Sequence, residues 1–178
     1  MCDHCGCREY APIAQLTADH VEILALAETL SSATRYHRPI DSAGKARLLE
    51  LLGMHSAKEE AGLYPLLISQ MGDEDGAFAH LEEEHREIAE LIETDRFEHL
   101  AFYALQRHVE EEEEVLFSSA LFWFDGDTWE VLEAVHELVD AESPGVAVQP
   151  LHPDRHSHDG HDHPHDHDHP HPHEHSAT

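Results

Sequence analysis

The chain has 178 residues, 20 of them His, with 38 Asp and Glu against 10 Lys and Arg, a formal charge of −28. Charge of that sign repels a phosphate backbone or an anionic lipid surface, so nucleic acid and membrane are not expected partners. No apolar run approaches the roughly 18 residues that a spanning helix needs, and Met1–Cys5 has no basic region leading into an apolar stretch. The expected setting is therefore a reducing cytoplasm.

The three Cys crowd into residues 2–7, an odd number in the wrong place for a disulfide framework. Cys2, His4, Cys5 and Cys7 form a candidate thiolate-rich site for Zn or Cu(I); the alternatives are an oxidisable terminus or a lid near the main site. Residues 1–9 are thus read as a separate Cys-rich segment.

Residues 10–142 read as helix throughout: rich in Ala, Leu and Glu, with no alternating strand pattern. Pro12 suits a first turn, and Ile13, Leu16, His20, Ile23, Ala27 and Leu30 recur at helical spacing until Arg38-Pro39. Asp41 is placed to cap a second helix carrying Leu48, Leu52, His55, Glu59 and Leu63, with Pro65 as a kink. A third starts near Gly72-Asp73, with Phe78, Leu81, His85 and Ile88. Asp95 is read as the cap of a fourth, with Leu105, His108, Glu112 and Leu116. Asp127 is read as the cap of a short fifth helix, with Trp129 and Leu132, closing an open end of the bundle. Phe117, Phe122, Trp123 and Phe124 are assigned to the core, and His37, His99 and His136 to structural roles. Four long helices with short connections predict an all-α, up-down-up-down four-helix bundle with a short fifth helix.

After a linker near Ser143-Pro144-Gly145, residues 143–178 turn into His, Asp and Pro. With one Leu and no larger apolar residue, this segment is expected to be disordered without a ligand. His156, His158, His161, His163, His165, His167, His169, His171, His173 and His175 are candidate ligands for Zn, Ni or Cu. Metal buffering, delivery or sensing stands against a soluble tail with incidental affinity.

The body repeats itself. Leu16-Thr-Ala-Asp19-His20-Val-Glu22-Ile23 matches Leu81-Glu-Glu-Glu84-His85-Arg-Glu87-Ile88, and His55-Ser-Ala-Lys-Glu59-Glu60-Ala-Gly-Leu63-Tyr64 matches His108-Val-Glu-Glu-Glu112-Glu113-Glu-Val-Leu116-Phe117. The body therefore reads as two copies of one helical hairpin about a pseudo-twofold axis. Each copy supplies one His on its first helix and a His-x-x-x-Glu pair, one turn apart on one face, on its second. All six lie in phase with the apolar stripes. Buried carboxylates are costly unless paired or metal-bound, and few cations are available; Lys58 stands beside the motif, off its face. A metal pair resolves the cost: two Glu bridge two ions, and each ion takes two His. Glu60 and Glu113 are either outer partners of the His ligands or a solvated helix face. Tyr64 is a core residue within reach of the site as a redox-active neighbour.

These stretches resemble the hemerythrin-like, or HHE cation-binding, family, over about residues 10–125. The Cys-Asp-His-Cys-Gly-Cys-Arg start also resembles that of actinobacterial members. The resemblance implies a four-helix bundle with an oxo- or hydroxo-bridged non-haem pair of Fe ions. Carried over by position, His20, His55, His85 and His108 are terminal ligands, and Glu59 and Glu112 are the bridges. The chain departs from the oxygen carriers of the family, which place a fifth His one turn before the third-helix His; here that position is Leu81. They also place an Asp five residues after the fourth-helix His, where this chain has Glu at four. It is nearer the prokaryotic iron-centre repair and stress proteins and the eukaryotic iron-sensing domain. With two His per iron, the resemblance implies reaction with peroxide, O2 or NO, of catalase-like or sensing type, over reversible oxygen carriage. The alternative is a transition-metal sensor, buffer or chaperone centred on the tail.

Overall fold

The computed structural model describes residues 9–142. Seven α-helical segments follow in order: α1 (Ala11–Arg35), α2 (Ser42–Lys58), α3 (Tyr64–Met71), α4 (Ala77–Glu93), α5 (His99–Glu111), α6 (Phe117–Trp123) and α7 (Gly126–Glu142). A π turn, Glu59–Leu63, joins α2 to α3 without a break, and a second, Glu112–Leu116, joins α5 to α6. The result is four long rods plus α7, an all-helical bundle with no strand among the described residues. α1 packs on α2 and α5, and α4 on the same two, which closes the ring of four.

Local chemistry explains most boundaries. Pro12 lies in the first turn of α1, where its missing N–H costs nothing. Asp41 caps α2 by accepting from the Ala43 amide at 3.0 Å. Asp95 does not cap α5. It sits at φ 56° just after α4, and its amide bonds back to Ile92 O, so it terminates α4 in the left-handed position that Asp tolerates. Asp127 is likewise displaced as a cap. α7 starts at Gly126, two residues earlier than that cap implies, and Asp125 accepts from both the amide (2.9 Å) and the hydroxyl (2.7 Å) of Thr128.

The irregularity expected at Pro65 lies just before it, in the π turn. Proline is not its cause: the matching turn Glu112–Leu116 is followed by Phe117 and then Ser118 in the place of Pro65, with no proline nearby. Both π turns begin at the Glu of a His-x-x-x-Glu pair. The repeat is thus preserved down to a rare backbone feature that recurs at functional sites.

The apolar core falls into two clusters. One gathers Ile13 and Leu16 with Leu63, Leu67, Leu81, Leu116 and Phe117; the other gathers Ile23, Ala27 and Leu30 with Leu48, Leu52, Ile88 and Leu105. Each long rod contributes to both. Between its two contributions each rod carries its His or Glu: His20, then His55 and Glu59, then His85, then His108 and Glu112. A buried polar layer is therefore clamped between two apolar layers. α7 packs on α1, α2 and the first π turn; Trp129 and Leu132 join the first cluster, and Trp129 stacks on Tyr10 at 4.1 Å. Phe122 and Trp123 are not core residues. They are 79 % and 44 % exposed, because α6 ends there and α7 covers the opposite side of the bundle.

Candidate metal centre

The polar layer holds four imidazoles and two carboxylates, each at most 7 % exposed. His20 Nε2 lies 3.1 Å from Glu112 Oε2 and 3.0 Å from His55 Nε2. His55 Nε2 lies 3.3 Å from Glu59 Oε2. His85 Nε2 is 3.5 Å from both Glu59 Oε2 and Glu112 Oε1, and His108 Nε2 is 2.8 Å from Glu112 Oε1. Donor atoms of His20, His55, Glu59 and Glu112 converge within 4.8 Å of one another, and so do those of His85, His108 and Glu112. The structure brings together all six residues singled out from the sequence, in two overlapping groups that share Glu112.

The outward face of each ring shows which nitrogen is free. A carboxylate only accepts, so a ring nitrogen bonded to one carries the proton. His20 Nδ1 donates to Glu113 (3.0 Å), His85 Nδ1 to Glu60 (2.9 Å) and His108 Nδ1 to Glu84 (2.8 Å). His55 Nδ1 faces Asp19 at the longer distance of 3.7 Å. Protons held on the outer nitrogens leave Nε2 as the atom that faces the centre, available to a metal once its own proton is displaced, the orientation seen for metal-bound His. Of the two readings of Glu60 and Glu113, the geometry favours partners of the His rings. Each reaches across to the other hairpin: Glu60 to a helix of the second copy, Glu113 to a helix of the first. Asp19 and Glu84 were not singled out from the sequence, although each directly precedes a His at a matched position of the repeat. The missing signal was that the carboxylate serves the ring of the next helix.

Tyr64 is 1 % exposed, and its hydroxyl lies 3.1 Å from Glu112 Oε1 and 3.3 Å from Glu59 Oε2, so its single proton is offered to both carboxylates. Its pKa is pushed up, by burial and by the charges of Glu59 and Glu112. Lys58 is a correction to the sequence reading: it is 2 % exposed and enters the network, 3.6 Å from Asp19 and 2.9 Å from Asp140 of α7. His80, five residues before His85, stays at the surface, with its side chain 72 % exposed.

The electrostatics are those of a site built for positive charge. Burial alone would lower His20, but hydrogen bonds to Glu112 and Glu113 outweigh it and raise the pKa to about 9. Burial and the neighbouring charge on His20 push His55 down to about 4. Burial and Glu112 raise Glu59 well above the usual carboxylate range. Burial works against ionised Glu112, yet the close His108, His20 and His85 rings hold it well below that range. Protons thus stand in for cations. The balance is incomplete: Glu59 Oε1 is buried without a hydrogen-bond partner, and Glu112 Oε2, His85 Nε2 and His108 Nε2 have close neighbours but no well-aligned hydrogen bond. Orphaned carboxylate oxygens and imidazole nitrogens facing one point are the donor set for a borderline transition metal. The residues present fit a metal site.

Two cavities reach this layer. A pocket of about 10 Å³, room for one water-sized molecule, is walled by the four His and by Ile23, Leu52, Leu105 and Val109. A surface cleft of about 160 Å³ between α1 and α5 ends on His20 and Val109, which it shares with the inner pocket.

A four-rod bundle with His and Glu from every rod gathered in one buried layer defines a metal-binding helical bundle. Residues 11–120 match the family described as hemerythrin HHE cation binding domain, and the chain belongs to that family. Neither the curated proteins nor the solved structures contain a match to it. The metal-binding expectations placed on Cys2, His4, Cys5 and Cys7, and on the His residues of the tail, lie outside the described residues.

Proposed function

We propose that the bundle holds two Fe ions and reacts with, or senses, small oxidants such as peroxide, O2 or NO in stress defence. His20 and His55 would hold one ion and His85 and His108 the other, with Glu59 and Glu112 as the carboxylate ligands. The single observation that carries this reading is the buried layer itself: orphaned Glu and His atoms facing inward beside an apolar pocket with room for one very small molecule. Bound iron would supply reversible one-electron chemistry and an open coordination position. The chain's own residues do the rest. Glu113, Glu60 and Glu84 hold the imidazoles in the tautomer that frees Nε2. Tyr64 keeps a proton beside both bridging carboxylates. Ile23, Leu52, Leu105 and Val109 give the pocket an apolar wall and leave no room for bulky ligands. A reducing, cytoplasmic setting belongs to the same proposal.

The test is the visible spectrum of iron-loaded protein, for the full chain and for a chain ending at residue 150, before and after peroxide or NO. Iron bands in the shorter chain that change with either reagent are expected. A colourless body, or iron bands that neither reagent alters, would contradict the proposal.

The sequence of residues 152–175, with eleven His among Asp and Pro, favours a second reading, in which the protein senses, buffers or delivers transition metals. That reading expects metal to pass from tail to bundle. Unchanged metal loading after deletion of residues 152–178 would remove it.

A further inference from the structure

The two halves of the metal layer are related by the repeat, but their surroundings are not. On the His108 side, the outer carboxylate is Glu84, at 2.8 Å and partly open to solvent. Its basic neighbours, Arg107 and His80, have side chains 68 % and 72 % exposed, where water screens them. On the His55 side, the equivalent carboxylate is Asp19, 1 % exposed and 3.7 Å from the ring. Here a buried ammonium intervenes. Lys58 lies 3.6 Å from Asp19 and 2.9 Å from Asp140, while Gln15 donates to Asp140 at 2.8 Å and receives His136 Nδ1–H at 2.8 Å. The residue matching Lys58 in the other copy is Glu111, which is exposed. Asp140 and His136 belong to α7, which has no counterpart in the repeat and lies beyond the family match.

An outer carboxylate makes an imidazole a stronger donor. Glu84 does this for His108 at full hydrogen-bond distance. Asp19 faces Lys58 at a distance comparable to that of His55, with its charge offset, so it does less for His55.

We infer that α7, through Asp140 and Lys58, sets the outer environment of the His20/His55 subsite alone, and that the two metal positions are inequivalent, with the His20/His55 position the weaker in donors and the more readily reduced. This rests on the proposed metal pair. Asp140 is a positioning residue: it acts on the site only through Lys58 and Asp19.

The experiment uses the full chain loaded with ⁵⁷Fe and read by Mössbauer spectroscopy, in the Asp140→Asn, Asp140→Glu and Glu84→Gln variants. Two distinct ferric doublets are expected in the parent protein. Asp140→Asn shifts one of them, Glu84→Gln shifts the other, and Asp140→Glu restores the parent spectrum. Doublets that coincide in the parent, or that both move together in Asp140→Asn, would overturn the inference. A second measurement needs no metal: the ¹⁵N shifts of the His55 imidazole, assigned by their loss in His55→Gln. Asp140→Asn is expected to move the His55 ring nitrogens and leave those of His108 in place; unmoved His55 nitrogens overturn the inference. If the bundle takes up no iron, the proposed function fails, and this second measurement still decides whether α7 governs the His55 ring.

Discussion

Gly53 and Gly62 lie nine residues apart on the second rod, and the same substitution at each is expected to act in opposite directions. A Cβ on Gly53 meets nothing within 4 Å outside its own helix. Replacing it with Ala removes the backbone-entropy penalty of a helical Gly, a gain of about 0.5–1 kcal/mol. A Cβ on Gly62 would lie 2.8 Å from Leu132 Cδ1 and 3.1 Å from Val135 Cγ1, both on α7. Leu132 is fully buried, and Val135 is β-branched with few rotamers, so neither yields cheaply. Overpacking of that kind costs about 1–3 kcal/mol. The propensity gain is similar at both sites, so the difference between Gly53→Ala and Gly62→Ala isolates the overpacking term. Urea unfolding of the metal-free full chain at neutral pH should place Gly53→Ala above the parent and Gly62→Ala below it. In melting temperature the pair should separate by roughly 2–4 °C per kcal/mol. Equal stability of the two variants would refute the close seating of α7 on the first π turn.

Three further outcomes follow from the centre and its surroundings. Metal uptake must displace the proton that hydrogen bonds hold on His20, with a pKa of about 9, and the one on Glu59, whose pKa is raised; affinity at the bundle should therefore rise with pH, and loading in unbuffered solution should acidify it. Tyr64→Phe removes the one donor offered to both carboxylates and should cost the metal-free protein about 1.5–3 kcal/mol in urea unfolding. Burial, with Lys58 nearby, holds His136 down at about 4 against an ordinary 6.5. The unfolded chain then binds this proton first as pH falls, so His136 lowers stability progressively from pH 6.5 to about 4 and has no effect above that window. A His136→Gln variant should show a flatter stability curve there, measured by unfolding at stepped pH.

The sequence carried the ring of rods because Leu and Ile recur at helical spacing on every one. It carried the six inward residues because they interrupt those stripes at matched places in a repeat. Asp95 and Asp127 misled as caps because a single Asp near a helix start is equally at home in a left-handed turn or two places past the true cap, as Asp125 shows. Lys58 was unreadable for another reason. Its role depends on Asp140, 82 positions on, and no local pattern tells that a lysine beside the motif will be sealed beneath a fifth helix. Phe122 and Trp123 failed similarly: their apolar character says nothing about which side α7 will cover.

Metal binding by the buried layer of His and Glu in the folded bundle can be read directly. The most direct measurement is iron content per chain in protein ending at residue 150, purified without a metal column, beside a variant carrying Glu59→Gln and Glu112→Gln. These substitutions keep side-chain volume while removing both carboxyl groups that could serve as anionic ligands. About two irons per chain, lost in the double variant while its circular dichroism stays helical, is the result expected of a bridged pair. Iron that is absent from the parent, or retained undiminished by the double variant, would contradict it.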